Sequence, residues 1–293
     1  MSQIRVKIFS DYASPEGHVR HLSAIYGLKD GKYHNLQLVA GDDYTHAVIF
    51  NLMSPDLKIP PENVIGFIQE PIPYNFSMEK IRNYHNEYLI KRVATYYLNN
   101  KPPFPSDIIR VHHGFLPNRV SYRHVIKPKK HIMSIIASNK AFWPGHKLRH
   151  KYVERILQTD MNIKVYGRGL ENRFKDSRIM GTFHKDFEAI SPYRFVIALE
   201  NSVSDYYITE KLTDLILCGT IPIYLGGKYV SEIYGDKCCI PISGNIEQDI
   251  HLIRSIYHSP DKWAEEIEIE KAREIMNTTE FLPVFLIKHW TGI

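Results

Sequence analysis

The 293-residue sequence is poor in cysteine, with only Cys218, Cys238 and Cys239, and two of these are adjacent. An odd number with this spacing predicts no disulfide framework. The sequence also lacks CxxC pairs and paired histidines at zinc-ligand spacing, so a structural metal is not expected. No run approaches the roughly 18 apolar residues that cross a bilayer, and the N-terminal residues match neither a signal peptide nor an anchor. We therefore expect a reducing compartment, meaning a cytoplasmic location or one peripheral to a membrane.

Several enzyme motifs are missing as well. No GxGxxG follows the first apolar run, Ile4–Phe9, which disfavours a dehydrogenase or epimerase of the dinucleotide type. Neither GxxxxGK[ST] nor GxSxG occurs, which argues against P-loop and α/β-hydrolase chemistry. The pair Asp42–Asp43 is more typical of a turn than of a metal site. The formal net charge of +5 suits a small anionic ligand and does not require nucleic acid.

Short apolar runs alternate with helical patterns along the chain, which predicts an α/β protein with parallel sheets. The strands expected in the first half are Ile4–Phe9, Leu36–Val39, Ala47–Phe50 and Val64–Ile68. Those expected in the second half are His131–Ala137, Asn162–Tyr166, Tyr193–Leu199 and Ile221–Leu225. Two such halves imply two domains, with ligands at the carboxyl ends of the strands.

The stretch Ile126–Lys130 is rich in proline and lysine and interrupts this pattern. We interpret it as a linker between an N-terminal domain, residues 1–128, and a C-terminal domain, residues 129–293. The alternative is a solvated basic loop inside one domain.

Two further segments are expected near the C-terminal end of the sequence. Asp261–Met276 is expected to form one charged helix. Phe281–Trp290 is expected to be an apolar segment that docks across both domains.

Polar residues follow two of the expected buried strands. After Tyr193–Leu199 the chain continues with Glu200-Asn201-Ser202, and a helix then opens at Thr209-Glu210-Lys211. Free N–H groups at a helix start attract anions, Lys211 adds positive charge, and Glu210 can accept sugar hydroxyls. This combination suits a nucleotide ribose and diphosphate. The alternative is that Glu210 only complements the helix dipole and that Lys211 is solvated.

Ser138-Asn139-Lys140 similarly follows an expected strand and leads into a helix that carries Arg149. The guanidinium fork of Arg149 could bind a phosphate with two hydrogen bonds. The alternative is an exposed helical arginine paired with a nearby acid.

In the first half, Gln69-Glu70-Pro71 follows Val64–Ile68, and the proline holds Glu70 extended. Glu70 is therefore a candidate general base, although most glutamates in such positions are simply solvated.

Three ordered segments resemble glycosyltransferase family 10, the α-1,3/1,4-fucosyltransferases. They are Glu-Asn-Ser at 200–202, Tyr-Ile-Thr-Glu-Lys at 207–211 and Gly-Thr-Ile-Pro at 219–222. Ser138-Asn139 followed by Arg149 is similar to the donor-site helix of that family. The resemblance is firm over roughly residues 132–240 and faint over 1–130. The chain resembles a soluble bacterial or viral form of the family, because the anchor and stem of Golgi members are lacking.

The resemblance implies a GT-B fold, in which two Rossmann-like domains face each other across a cleft and the second binds GDP-fucose. It implies that Arg149 and Lys211 contact the diphosphate and Glu210 the ribose. Asn201 and Tyr207 would lie near the phosphates, and Ser138 and Asn139 in the same donor site. Glu70 stands where the family places its catalytic carboxylate, although the family commonly has Gly-Glu-(Asn/Ser) there.

The implied reaction is an inverting transfer of fucose to a glycan hydroxyl, with an expected α-1,3 linkage to N-acetylglucosamine or glucose. No cofactor and no metal site are expected, because Arg149 and Lys211 can offset the charge of the departing GDP; a divalent metal would at most stimulate the reaction. The expected partners are GDP-fucose and a glycan acceptor, without nucleic acid. Two alternatives stay open: a GT-B transferase for another nucleotide sugar, and a non-catalytic nucleotide- or carbohydrate-binding protein.

Overall fold

The structure, a computed structural model, describes residues 3–50, 55–68, 92–95, 107–110, 127–142, 144–183, 187–203, 207–279 and 282–291. The chain divides into two compact units. The first comprises residues 1–121, 205–207 and 279–293, and the second comprises residues 122–204 and 208–278. The boundary between residues 128 and 129 inferred from the sequence stays a prediction.

The first unit is built on a seven-stranded sheet. Its strands are β1 (Ile4–Phe9), β2 (Lys32–Tyr33), β3 (Leu36–Val39), β4 (His46–Phe50), β5 (Val64–Ile68), β6 (Arg92–Thr95) and β7 (Asp107–Arg110). They are ordered β2-β3-β1-β4-β5-β6-β7, and all neighbours are parallel except β2 and β3. Helix α1 (Pro15–Tyr26) follows β1; the hydroxyl of Ser14 caps it by accepting from the Gly17 N–H at 3.2 Å.

The second unit is built on a six-stranded, wholly parallel sheet. Its strands are β8 (His131–Ile136), β9 (Lys164–Tyr166), β10 (Ile179–Gly181), β11 (Tyr193–Leu199), β12 (Ile221–Leu225) and β13 (Ile240–Pro241), in the order β10-β9-β8-β11-β12-β13. The helices are α2 (Pro144–Leu157), α3 (Glu210–Leu217), α4 (Val230–Tyr234), α5 (Ile246–His258), α6 (Pro260–Glu265) and α7 (Ile269–Thr279). The run Tyr193–Leu199 is nearly all apolar because β11 lies between two hydrophobic cores, one on each face of the sheet.

Lys129, just before β8, forms hydrogen bonds to several loops of this second unit. Its ammonium donates to the carbonyls of Ser191 at 2.9 Å and Cys218 at 2.8 Å, and to the hydroxyl of Thr220 at 2.6 Å. The backbone N–H of Lys127 donates to the Ser191 hydroxyl at 3.2 Å. Burial lowers the pKa of Lys129 to about 8.

The prediction of a single helix over Asp261–Met276 is wrong. The structure has two helices there, α6 and α7, because the chain leaves the helical path between them. The N–H of Glu268 donates to the carbonyl of Lys237 at 2.9 Å instead of to its own helix. A tertiary contact from a distant loop therefore interrupts a pattern that is helical on its own.

A final helix, α8 (Leu282–Thr291), belongs to the core of the first unit. Leu286 is fully buried with Val6 and Ile8 of β1, and the Trp290 ring lies 4.5 Å from that of His46. The predicted α/β class with two parallel-sheet domains is confirmed. Within the described ranges, no helix combines the length and apolarity needed to cross a membrane.

Candidate functional site

Polar side chains of the second unit gather where β8 and β11 end and where α2 and α3 begin. Ser138 and Asn139 follow β8, Glu200 and Asn201 follow β11, and Thr209 caps α3. The carboxyl ends of parallel strands meet at one edge of a sheet, and helix N-termini there present unpaired N–H groups. The arrangement therefore creates a polar, electropositive edge from residues far apart in sequence.

Arg149 and Asn201, both predicted as donor-binding residues, are brought together by a close backbone contact. A Cβ placed on Gly145 would come within 2.3 Å of the Asn201 carbonyl oxygen, so only glycine allows α2 to start here. Arg149 then donates through Nε to the Leu199 carbonyl at 2.9 Å and through a terminal nitrogen to Asn201 Oδ1. The alternative of an exposed helical arginine is wrong, because Arg149 is 6% exposed.

Lys211 lies in the first turn of α3 and is paired with acids. Its Nζ lies 3.0 Å from Glu210 Oε1 and 3.5 Å from Glu200 Oε2, and it donates to Thr209 Oγ1 at 3.1 Å. Burial lowers the pKa of Lys211, but the attraction of Glu210 and Glu200 outweighs it and leaves the pKa above its ordinary value. Its side chain is 24% exposed, and Lys211 is held by these carboxylates rather than extended freely into solvent.

Glu200 belongs to this cluster. It is part of the Glu-Asn-Ser motif, but the sequence predicted no role for it. It is 3% exposed, and its carboxylate accepts from the Thr209 N–H at 2.9 Å and from the Thr209 hydroxyl at 2.8 Å. The hydroxyl of Tyr224 on β12 donates to it at 3.3 Å. Burial raises the pKa of Glu200, while the charge of Lys211 opposes this shift. Glu200 thus ties β11, β12 and the start of α3 together. The sequence feature that could have identified Glu200 is a charged residue directly after an apolar strand.

His146, in the first turn of α2, is a second residue that the sequence interpretation missed. It is 7% exposed. Burial, followed by the charges of Arg149 and Lys140, lowers the pKa of His146 to about 4; His150 and Lys211 act in the same direction. Several positive groups therefore lie close to His146 at this edge, and such groups attract an anion.

The remaining predicted donor residues have different surroundings. The carbonyl of Ser138 accepts from His150 Nε2 at 2.8 Å, and the N–H of Asn139 donates to the Arg168 carbonyl at 2.9 Å. Tyr207 is buried. Glu70, the predicted base, lies outside the described residues. Among the residues that the structure does describe, no three His, Cys, Asp or Glu side chains gather as metal ligands. The expected independence from metal stays a prediction.

Comparison with known sequences supports the resemblance. Residues 126–249 match the family model described as glycosyltransferase family 10 (fucosyltransferase), C-terminal. The chain is 25% identical over 173 residues to the Caenorhabditis elegans alpha-(1,3)-fucosyltransferase fut-5, covering 57% of this chain and 45% of that one. It is 27% identical over 136 residues to GDP-fucose protein O-fucosyltransferase 3 of Canis lupus familiaris, covering 44% and 28%. The chain thus spans less than half the length of these curated relatives.

Comparison with solved structures supports the fold. An alpha1,3-fucosyltransferase crystal structure superposes with a TM-score of 0.56 at 14% identity, covering 97% of this chain and 90% of that one. The structure of TarM superposes with a TM-score of 0.57 at 15% identity, covering 92% and 57%. The predicted GT-B fold class is confirmed. Residues 126–249, which hold the electropositive edge of the second sheet, are the part of the chain that matches the glycosyltransferase family 10 (fucosyltransferase) model.

Proposed function

We propose that this protein transfers fucose from GDP-fucose to a hydroxyl of a glycan acceptor, with inversion at the anomeric carbon. The observation that carries the proposal is the hydrogen bond from Arg149 to Asn201, with the charge of Arg149 also acting on Lys211, inside the segment that matches the family model. The names of the matched relatives, which are fucosyltransferases, support the choice of donor.

In this proposal the electropositive edge binds the diphosphate of the donor. Arg149 and Lys211 stabilise the negative charge that develops on the departing GDP, and the N–H groups at the start of α3 add to this effect. Because these groups are fixed before the donor binds, they need little reorganisation as charge develops. We propose that Glu210 accepts the ribose hydroxyls, with Ser138, Asn139 and Tyr207 completing the nucleotide site, and that no metal is required.

Glu70 serves as the general base in this proposal. It follows β5 in the first unit and takes the proton from the acceptor hydroxyl as that oxygen attacks C1 of fucose. The bond from C1 to the diphosphate breaks at the same time, and GDP leaves as an anion. The proposed product has an α-1,3 linkage to N-acetylglucosamine or glucose.

A second candidate acceptor is a protein hydroxyl, because one matched relative is named a protein O-fucosyltransferase. The deciding experiment incubates the full chain with radiolabelled GDP-fucose, or with UDP-glucose and UDP-N-acetylglucosamine, and offers either N-acetyllactosamine or a serine- and threonine-containing peptide. We expect label only from GDP-fucose and only on the oligosaccharide, also in EDTA. The coupling constant of the product's anomeric proton reports inversion. Transfer from a UDP-sugar, or GDP binding without any transfer, would support one of the two alternatives instead.

A further inference from the structure

The first unit carries an exposed aromatic residue at the carboxyl end of β1. Tyr12 is 56% exposed and lies three residues beyond the strand. A turn closed by Ser10 presents it: the Ala13 N–H donates to Ser10 Oγ at 3.1 Å, and that hydroxyl lies 3.2 Å from the Ala13 carbonyl. Asp11, also exposed, shares the tip of this turn. The turn therefore displays a carboxylate and a phenol ring side by side.

Two buried rings hold the Tyr12 ring in place. The His18 ring meets it edge-on, with centroids 5.4 Å apart and planes at 79°, and the Phe50 ring lies 6.3 Å away at 36°. His18 and Phe50 also contact each other, at 5.8 Å, and they are 4% and 1% exposed. Tyr12 thus presents an exposed ring whose orientation is set by the core beneath it.

His18 is itself fixed and uncharged. Its Nε2 lies 2.7 Å from Ser10 Oγ, the same hydroxyl that closes the turn. Burial lowers the pKa of His18 to about 4, so the imidazole under Tyr12 is neutral at pH 7. One hydrogen-bonded pair therefore supports both the turn and the ring. A ligand that stacks on Tyr12 meets a surface that is already ordered, which reduces the entropy lost on binding.

The chemistry of this surface favours a neutral sugar ring over a nucleotide. The face of an aromatic ring is electron-rich and attracts the weakly positive C–H groups on one side of a pyranose. The neighbouring carboxylate of Asp11 can accept sugar hydroxyls, whereas it repels phosphate. The position also fits, because ligands of parallel α/β sheets bind at the carboxyl ends of the strands.

We propose that Tyr12 and Asp11 form a subsite that binds a pyranose ring of the glycan acceptor. The inference rests on the proposed function for the acceptor's role, but the binding itself can be measured without any donor. Tyr12 supplies the stacking surface, Asp11 a hydroxyl-accepting oxygen, and Ser10 with His18 the support. The subsite belongs wholly to the first unit.

The test is saturation-transfer NMR on the full chain with N-acetyllactosamine and lactose as probes, without donor. We expect Tyr12→Ala to weaken binding of at least one probe about tenfold, as is typical of a central aromatic contact, and Tyr12→Phe to keep it. Tyr33→Ala is the matched control, because Tyr33 also contacts a histidine edge-on, at 4.5 Å from His34, but pairs with Leu36 at the other end of the sheet. It should bind the probes as the parent does.

In the transfer reaction, Tyr12→Ala should raise the KM for the acceptor about tenfold, with kcat and the affinity for GDP close to the parent values. Absence of saturation transfer to both sugars in the parent chain would overturn the subsite. Unchanged probe binding in Tyr12→Ala would also overturn it. The same holds if a peptide is the true acceptor and displaces neither sugar. If the parent binds the sugars through Tyr12 and yet GDP-fucose is never turned over, the subsite stands and the proposed transfer fails.

Discussion

Gly145 and Asn201 are in direct backbone contact: a Cβ on Gly145 would lie 2.3 Å from the Asn201 carbonyl oxygen and 2.8 Å from its Cα. This contact sets the distance between the first turn of α2 and the loop after β11. The same turn carries His146, and the next carries Arg149, whose guanidinium reaches Asn201. The geometry of the positive edge therefore depends on the absence of a single methyl group.

Gly145→Ala should displace the start of α2 and separate Arg149 from Asn201. Overpacking of this kind costs typically about 1–3 kcal/mol, and we expect the affinity for GDP to fall about tenfold or more. Calorimetric titration with GDP measures it. Gly17→Ala is the control, since a Cβ there would meet its nearest neighbour, Ser14 Oγ, at an ordinary 3.5 Å. An alanine at 145 that binds GDP like the parent would show that the edge tolerates displacement.

Replacing Arg149 or Lys211 with alanine should each weaken GDP binding by about 1.5–3 kcal/mol, the range for hydrogen bonds to charged groups. The reason is that Arg149 in α2 and Lys211 in α3 lie near enough for the charge of Arg149 to act on Lys211, so both cations can attract the same diphosphate. Arg155→Ala is a suitable control, because Arg155 lies on the same helix but pairs with Glu247. Titration calorimetry of all three variants is the measurement. Parent-like affinity in both site variants would reject the assignment of the donor site.

His146 should report the bound diphosphate through its pKa. Burial and the surrounding cations hold this pKa near 4, below the ordinary 6.5. An anion favours the imidazolium, so GDP-fucose should raise the pKa of His146. By linkage, the affinity for GDP-fucose should increase as the pH falls towards the free protein's pKa of about 4. NMR titration of the ring protons, assigned with His146→Gln, measures the shift. An unchanged pKa would place the diphosphate away from α2.

Glu70→Gln should reduce kcat by roughly 10²–10⁴-fold while leaving GDP affinity at the parent value, because the amide keeps the shape of the carboxylate and removes its basicity. Steady-state kinetics and calorimetry on one preparation give both quantities. Glu62→Gln, a glutamate just before β5, serves as the control. Transfer by Glu70→Gln at near the parent rate would mean that another group acts as base.

Lys129→Met should lower the free energy of unfolding by about 1.5–3 kcal/mol at pH 7, since three acceptors lose a charged donor. The folded-state pKa near 8 lies below the ordinary 10.5, so between these values the unfolded chain binds a proton that the folded chain does not. The stability of the parent relative to Lys129→Met should therefore rise with pH across that window. Urea denaturation at pH 7 to 10 tests this, with the exposed Lys130→Met as control. A flat difference would contradict the burial of the ammonium.

Sequence patterns were sufficient for four of the six strands of the second sheet and for the polar residues at the ends of β8 and β11, but not for the short strands β10 and β13. Tyr193–Leu199 and Ile221–Leu225 are apolar runs bounded by polar residues, and the structure has strands over both ranges. Thr209 before a helical pattern predicted the start of α3 for the same local reason. These features depend on periodicity and capping, which neighbouring residues determine.

Contacts between distant segments could not be predicted in the same way. The role of Glu200 depends on Thr209 and on Tyr224, which reach it only once β11 has paired with β12. The interruption between α6 and α7 likewise depends on Lys237 from another loop. The low pKa of His146 follows from charges brought close by folding, and no local pattern carries that information.

The placement of α8 in the first core has a consequence for the order of synthesis. Leu286 completes a hydrophobic cluster begun by Val6 and Ile8, although residues 122–278 are translated in between. Domains usually fold in the order in which they leave the ribosome. Here the second unit emerges in full before the first can close its core, so the second unit is ready to fold while the first still waits for α8.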